Sequence, residues 1–264
     1  MIFNNRSDVE NIGKKNIDVK EHDDNTYAKM LNMFYVAVDK NDHGFAPHAI
    51  NDGFWEAWIT LWMHKNVQEG FSVCDIGANH GYYSLMLAFS GCSIVDAYEP
   101  QPKLVNLIEK SVTFNKLSNL NVFDLAISNK DKVDGKMIVP IHHGMNATLT
   151  KPGYMPDGFE EIEVKLATLD SINKKYDFIK MDAEGGEADI WQGMQNYLIK
   201  YPNTLILMEW RYDRYKNPEE FAKDIFDKCI VTNVNFDGEE ESIDLDRLYT
   251  KKNEDWMLVL RSKQ

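Results

Sequence analysis

Residues 73–88, VCDIGANHGYYSLMLA, run from an apolar stretch through two glycines into a second apolar stretch. The run FSVCDIG (71–77) predicts a buried strand that ends at Gly77, and YYSLMLAFSG (82–91) predicts a helix. A strand that turns through glycines into a helix is where doubly wound α/β sheets hold their ligands. Gly77 and Gly81 would let the backbone approach a ligand that a side chain would exclude. The spacing is G-x-x-x-G, not the G-x-G-x-x-G of dinucleotide binders, and no Walker lysine follows.

The alternation continues outward. SIVDAYE (93–99) predicts a second strand, and KLVNLIEKSVTFN (103–115) a helix entered at Pro102, with Leu104, Leu107, Ile108 and Val112 on one face. LNVFDLAIS (120–128) predicts a third strand, YDFIKMD (176–182) a fourth and TLILMEW (204–210) a fifth. Helices are expected at 187–201, stopped by Pro202, and at 218–229, opened by Asn217-Pro218. IVTNVNF (230–236) and WMLVLRS (256–262) close the chain as strands with no helix predicted between them. They are expected to pair antiparallel at one edge. The class is therefore α/β, doubly wound around a mostly parallel sheet.

Residues 129–168 interrupt the rhythm with short strands or hairpins, an insert where acceptor specificity would reside. Residues 1–52 form an N-terminal arm and lead-in before the domain at 53–264, and polar residues 1–25 are expected to be a loose, disordered arm. FWEAWITLWMHKNV (54–67) predicts a core-packing helix in preference to an aromatic substrate platform. Arm and helix together would cap a site or make a homodimer contact.

The 264 residues carry 42 acidic and 29 basic side chains, a net charge of −13. A sequence pI near 5.0 weighs against a partner gripped through nucleic-acid phosphates. A 44% hydrophobic fraction excludes a disordered chain, and the longest apolar runs fall short of the ~18 residues of a membrane span. Cys74, Cys92 and Cys229 form neither a disulfide framework nor a metal knuckle, which points to a reducing cytoplasm. The N-terminus lacks the apolar core of a secretory signal.

Glu99 falls at the end of the second predicted strand, where a carboxylate can accept hydrogen bonds from the vicinal hydroxyls of a ribose. Asp75 opens the glycine loop, where a pyrophosphate cradle would avoid negative charge. A ligand with an ammonium and a sulfonium, S-adenosylmethionine, suits such a loop better.

With these residues in place, the chain resembles the class I S-adenosylmethionine-dependent methyltransferases, and within them the FkbM-type group. Three segments carry the resemblance: 73–88, VDAYEPQPKLVNLIEKSVTFN (95–115), and ATLDSINKKYDFIKMDAEGGEADIWQGM (167–194). The resemblance implies a Rossmann-like, seven-stranded sheet and methyl transfer to an oxygen of a carbohydrate or glycosylated metabolite, with S-adenosylhomocysteine as coproduct. It further implies that Asp75, Gly77, Ala78, Asn79 and Gly81 surround the methionine end of the cofactor. Glu99 would hold the ribose, Pro100 would line the adenine cleft, and Asp124, Ala126 and Ile127 would flank the adenine ring.

A sugar hydroxyl must lose its proton as it attacks a methyl group, and a carboxylate or histidine within reach is the natural acceptor. Asp182, just past the fourth strand, is the first choice, Glu184 the second, and His142 or His143 the third. Glu187 is expected only to decorate a helix N-terminus. Buried Lys180 needs a partner, for which Glu209 is the candidate. Asp182, Glu184 and Glu209 could instead converge on Mg²⁺. The acidic run 237–246 reads as a solvated loop. Two alternatives remain: a methyltransferase of RNA or of a non-sugar small molecule, and a non-catalytic binding module that keeps the cofactor fold.

Overall fold

The computed structural model describes residues 2–141, 147–149 and 157–263. The apolar run before Gly77 becomes strand β1 (Ser72–Ile76), and the stretch after Gly81 becomes the helix Tyr82–Phe89. Strands β2 (Ile94–Tyr98), β3 (Leu120–Phe123), β4 (Phe178–Met181) and β5 (Leu205–Trp210) follow. The sheet is completed by β6 (Cys229–Val234), β7 (Glu240–Ser242) and β8 (Trp256–Ser262). Its order is β7-β6-β8-β5-β4-β1-β2-β3. The strands from β5 to β3 are parallel, whereas β8 runs antiparallel to both β5 and β6. Alternate side chains enter the two covering layers: Phe178, Leu207 and Val259 face one core, and Ile179, Met208 and Leu258 the other.

The α/β class, the mostly parallel sheet and the antiparallel last strand agree with the expectation, but several details differ. The main sheet has eight strands, not seven, because Glu240–Ser242 of the acidic run pairs with β6. The rest of that run caps a helix, Leu245–Thr250, whose Arg247 N–H donates to Asp244 Oδ1. Strand β8 lies between β5 and β6 and not at the rim. Its Leu258, Val259 and Leu260 are fully buried, which an interior position provides, and the polar β7 takes the edge. The helix expected at 187–201 breaks into Glu187–Gln192 and Gln195–Lys200 at Gly193, where a β-carbon would lie 2.1 Å from the Ser128 carbonyl oxygen.

The third predicted strand also divides, since Ala126–Ile127 leaves the main sheet and pairs with Phe159–Ala167. That strand pairs antiparallel with Val133–Pro140, and Thr148–Leu149 adds to the latter, so the insert forms a second, four-stranded sheet.

The loose arm is a correction. Residues Arg6–Lys15 form a helix whose Asp8 N–H donates to Asn5 Oδ1, followed by an antiparallel meander of Val19–His22, Asn25–Met30 and Phe34–Val38. Phe3 and Val9 are buried in the core that also holds Trp62 and Leu85. Too few apolar residues precede position 25 to show this by pattern, and the first helix packs against the Ala57–Asn66 helix. Among the described residues, no helix is long and apolar enough to cross a membrane.

Candidate functional site

The C-terminal ends of β1, β2, β4 and β5 open on one cavity of about 1120 Å³, its mouth included. Its floor is the glycine loop. Gly77 has φ +74°, and a β-carbon there would stand 1.9 Å from the Asp182 carbonyl oxygen, so only glycine lets the ends of β1 and β4 meet. The N–H groups of Gly77 and Ala78 both donate to the Tyr98 carbonyl, at 3.0 and 3.1 Å. Asn79, at φ +54°, donates its N–H to Glu99 Oε2 at 2.8 Å, and Gln101 N–H donates to Glu99 Oε1 at 2.9 Å. Glu99 thus stands at the end of β2 with both oxygens aligned by backbone donors. Burial pushes its carboxyl up to about 7 against those two bonds.

Asp75 does not reach the cavity. It is fully buried, its Oδ2 accepts from Ser84 Oγ at 2.6 Å, and its Oδ1 lies 3.4 Å from Lys180 Nζ. Lys180 also meets Asp182 Oδ2 at 3.4 Å and donates to the Gly77 carbonyl at 3.3 Å. One ammonium therefore ties together the ends of β1 and β4. Its burial favours the neutral amine, but Asp182 and Asp75 outweigh this and hold its pKa above the usual lysine range. Its partners are Asp75 and Asp182, not the expected Glu209: lysine Nζ at the centre of β4 faces the adjacent β1.

Glu209 is claimed by Arg214, whose guanidinium also reaches Glu184 Oε2 at 2.9 Å. Glu187, expected to decorate a helix end, is instead fully buried. It accepts from Ala183 N–H at 2.6 Å, Gly185 N–H at 3.0 Å and Tyr215 O–H at 3.0 Å. It braces the loop that carries Asp182 and Glu184, and burial pushes its carboxyl up to about 7. Asp182, Glu187 and Glu209 bring oxygens within 4.8 Å of one another. The trio differs from the expected metal set because Glu184 turns to Arg214. Backbone donors and Tyr215 engage Glu187, and Arg214 engages Glu209, so these groups form a hydrogen-bonded brace.

The opposite wall takes Trp55 and Glu56 from the stretch 54–67 expected to be only core, Phe45 from the lead-in, and Tyr82 and Tyr83 from the helix after the glycine loop. Phe45, Trp55, Glu56, Tyr82 and Tyr83 line the cavity. Glu56 sits in the left-handed region, φ 35° and ψ 67°, and accepts from Tyr83 O–H at 2.6 Å. Desolvation pushes its carboxyl up to about 7, with the Asp182 charge adding and the Tyr83 bond and Lys180 opposing. His80 stacks on Phe45 at 4.6 Å between ring centroids, with Nδ1 2.6 Å from Asn79 Oδ1. Burial lowers its pKa to about 4, so it is neutral at physiological pH and buttresses the loop.

Of the expected site residues, Gly77, Ala78, Asn79, Glu99 and Pro100 line the cavity, and so do Ala126, Ile127, Asp182 and Glu184. Asp75 lies beneath it, Gly81 turns against Ile108, and Asp124 is exposed outside the lining while Leu125 takes the inner position. His142 and His143 fall outside the described residues. Glu56 was missed: it is one acid inside an aromatic stretch, and only that incongruity could have marked it.

The family described as the methyltransferase FkbM domain matches residues 75–231, more than half of the chain. No curated protein matches the chain significantly. Among solved structures, wild-type Trm5b from Pyrococcus abyssi is similar at 13% identity and a TM-score of 0.48, over 93% of this chain and 62% of that one. The chain thus spans less than two thirds of that relative. The precorrin-6y C5,15-methyltransferase from Geobacter metallireducens is similar at 13% identity and a TM-score of 0.44, over 79% of this chain and 88% of that one. The P. horikoshii TYW2 structure with MeSAdo is similar at 13% identity and a TM-score of 0.46, over 92% of this chain and 69% of that one.

Proposed function

The chain belongs to the FkbM methyltransferase family, and on that premise we propose that it moves the methyl group of S-adenosylmethionine to a hydroxyl of a neutral carbohydrate or glycosylated metabolite. The observation that carries the acceptor class is the charge of the cavity wall. Among the described residues, Lys180 is the one cationic side chain of the lining, and Asp75 and Asp182 already hold it. The remaining charged groups of the lining are carboxylates: Glu56, Glu99, Glu184 and Glu209 beside Asp182. Such a wall accepts hydrogen bonds from a polyol and repels phosphate, so a neutral sugar fits it and an RNA backbone does not.

The residues present fit the cofactor. Each Glu99 oxygen accepts one backbone N–H and keeps a lone pair for a ribose hydroxyl. Pro100, Leu125, Ala126 and Ile127 offer an apolar slot for a purine. When bound, S-adenosylmethionine supplies an electrophilic methyl group on a cationic sulfur. The protein supplies alignment and a proton acceptor. Asp182, with 29% of its side chain exposed and its Oδ2 steadied by Lys180, accepts the proton of the attacking hydroxyl. Glu184, turned toward Arg214, positions the acceptor. The free, buried Cys74, Cys92 and Cys229 suit a reducing cytoplasm.

The test is transfer of a deuterated methyl group from S-adenosylmethionine to a panel of neutral glycosides, sugar phosphates, non-sugar alcohols and RNA, with products identified by mass spectrometry. A methyl ether on a neutral glycoside is the expected product. Transfer confined to RNA, sugar phosphates or non-sugar alcohols would overturn the acceptor assignment.

A further inference from the structure

The glycine loop offers little to a cation. The Gly77 carbonyl accepts from Lys180 and the Ala78 carbonyl from Gly81 N–H, and Asp75 is sealed below with Lys180 and Ser84. A zwitterionic amino-acid tail brings an ammonium into this cavity, and burying it unpaired would be costly. Two carboxylates beside the loop remain: Asp182, which Lys180 already neutralises in part, and Glu56, which accepts from Tyr83 and Trp55 and forms no ion pair among the described residues.

Glu56 is also held at a backbone cost. A non-glycine residue at φ 35° is uncommon, and such strain persists where surrounding packing enforces a functional geometry. The neighbouring cavity wall is aromatic. Trp55, Tyr82 and Tyr83 line it beside Phe45, and the Phe45 and Trp55 rings meet edge-on at 5.6 Å between centroids. A carboxylate among aromatic faces is a favourable environment for an ammonium.

We propose that Glu56 is the carboxylate that receives the α-ammonium of the cofactor's amino-acid end, with Trp55 and Tyr83 as walls of that subsite. This assignment rests on the methyltransferase reading and moves the cation contact from Asp75 to a residue ahead of the glycine loop. Tyr83 orients the carboxylate, and Lys180 holds Asp182 in place for the acceptor hydroxyl.

The test compares two ligands on the full chain by calorimetry: S-adenosylhomocysteine, and 5′-methylthioadenosine, which lacks the amino-acid end. Glu56→Gln weakens the first on the order of tenfold or more and leaves the second unchanged, the size expected for loss of a charge-assisted bond. Tyr83→Phe, which keeps the fold-filling ring, weakens the first several-fold and again spares the second. Equal losses for both ligands, or no loss for either, would overturn the assignment while leaving the methyltransferase reading intact. Failure of the unaltered protein to bind either ligand would remove both.

Discussion

The carbonyl oxygen of Asp182 lies 1.9 Å from where a β-carbon on Gly77 would stand. The loop glycine therefore makes room for the end of β4 as well as for a ligand, and it sets the position of the proposed proton acceptor. Adding one methyl at residue 77 must push the two strand ends apart. Gly77→Ala is predicted to destabilise the protein by about 1–3 kcal/mol, through the left-handed φ and the clash together, and to abolish turnover. Urea denaturation beside the methyl-transfer assay checks this; a variant of normal stability and activity would contradict it.

Lys180 is shared by two carboxylates, each 3.4 Å from its Nζ. Lys180→Met leaves Asp75 buried without its partner and is predicted to cost about 3–5 kcal/mol. Asp75→Asn added to Lys180→Met removes the orphaned charge and should recover part of that loss. The double-mutant cycle by chemical denaturation reads the coupling directly, and strictly additive effects would rule out the bridge.

The pH response follows from Glu56 and Glu99, both pushed from 4.5 up to about 7 by burial. A raised carboxyl favours the neutral form, so its contribution to stability is present below 4.5 and is lost as pH rises through about 7. Ribose hydroxyls on Glu99 and an ammonium on Glu56 favour the ionised forms. Asp182 raises and Lys180 lowers the Glu56 carboxyl, while Asp75 raises that of Glu99. Binding of S-adenosylhomocysteine should therefore release protons near neutral pH and strengthen as pH rises from about 6 to about 8. Calorimetry in buffers of different ionisation enthalpy measures this, and proton uptake would contradict it.

Glu187 holds the acid loop from inside. Glu187→Ala removes the acceptor for Ala183 N–H, Gly185 N–H and Tyr215 O–H, at a cost of about 1–3 kcal/mol for each buried group left unsatisfied. Turnover should fall more than cofactor affinity, because the loop carries Asp182 while Glu99 stands on β2. Matched losses in kcat and in cofactor Kd would show that Glu187 acts on the whole fold instead.

The parallel half of the sheet was legible because its strands are short apolar runs alternating with helical stretches, a pattern that local residues suffice to write. Glu99 and Asp182 were legible for the same reason: strand ends fix where their side chains emerge. The partners of Lys180 were not, since they depend on which strand lies beside β4, a long-range pairing that no local window contains. Glu56 escaped because its neighbours Trp55 and Trp58 dominate the stretch, and its left-handed backbone, at φ 35°, has no glycine or asparagine to announce it. The interior position of β8 and the strand within the acidic run were hidden likewise, one by sheet order and the other by pairing of polar residues with β6.

The central claim is that the cavity above β1 and β2 binds S-adenosylmethionine through Glu99. Calorimetric titration with S-adenosylhomocysteine, with NAD and ATP as controls, tests it most directly. Saturable binding of S-adenosylhomocysteine alone is expected, weakened at least tenfold in Glu99→Ala, as for loss of hydrogen bonds to a charged group. A folded protein that fails to bind it, or whose Glu99→Ala variant binds it equally well, would contradict the account.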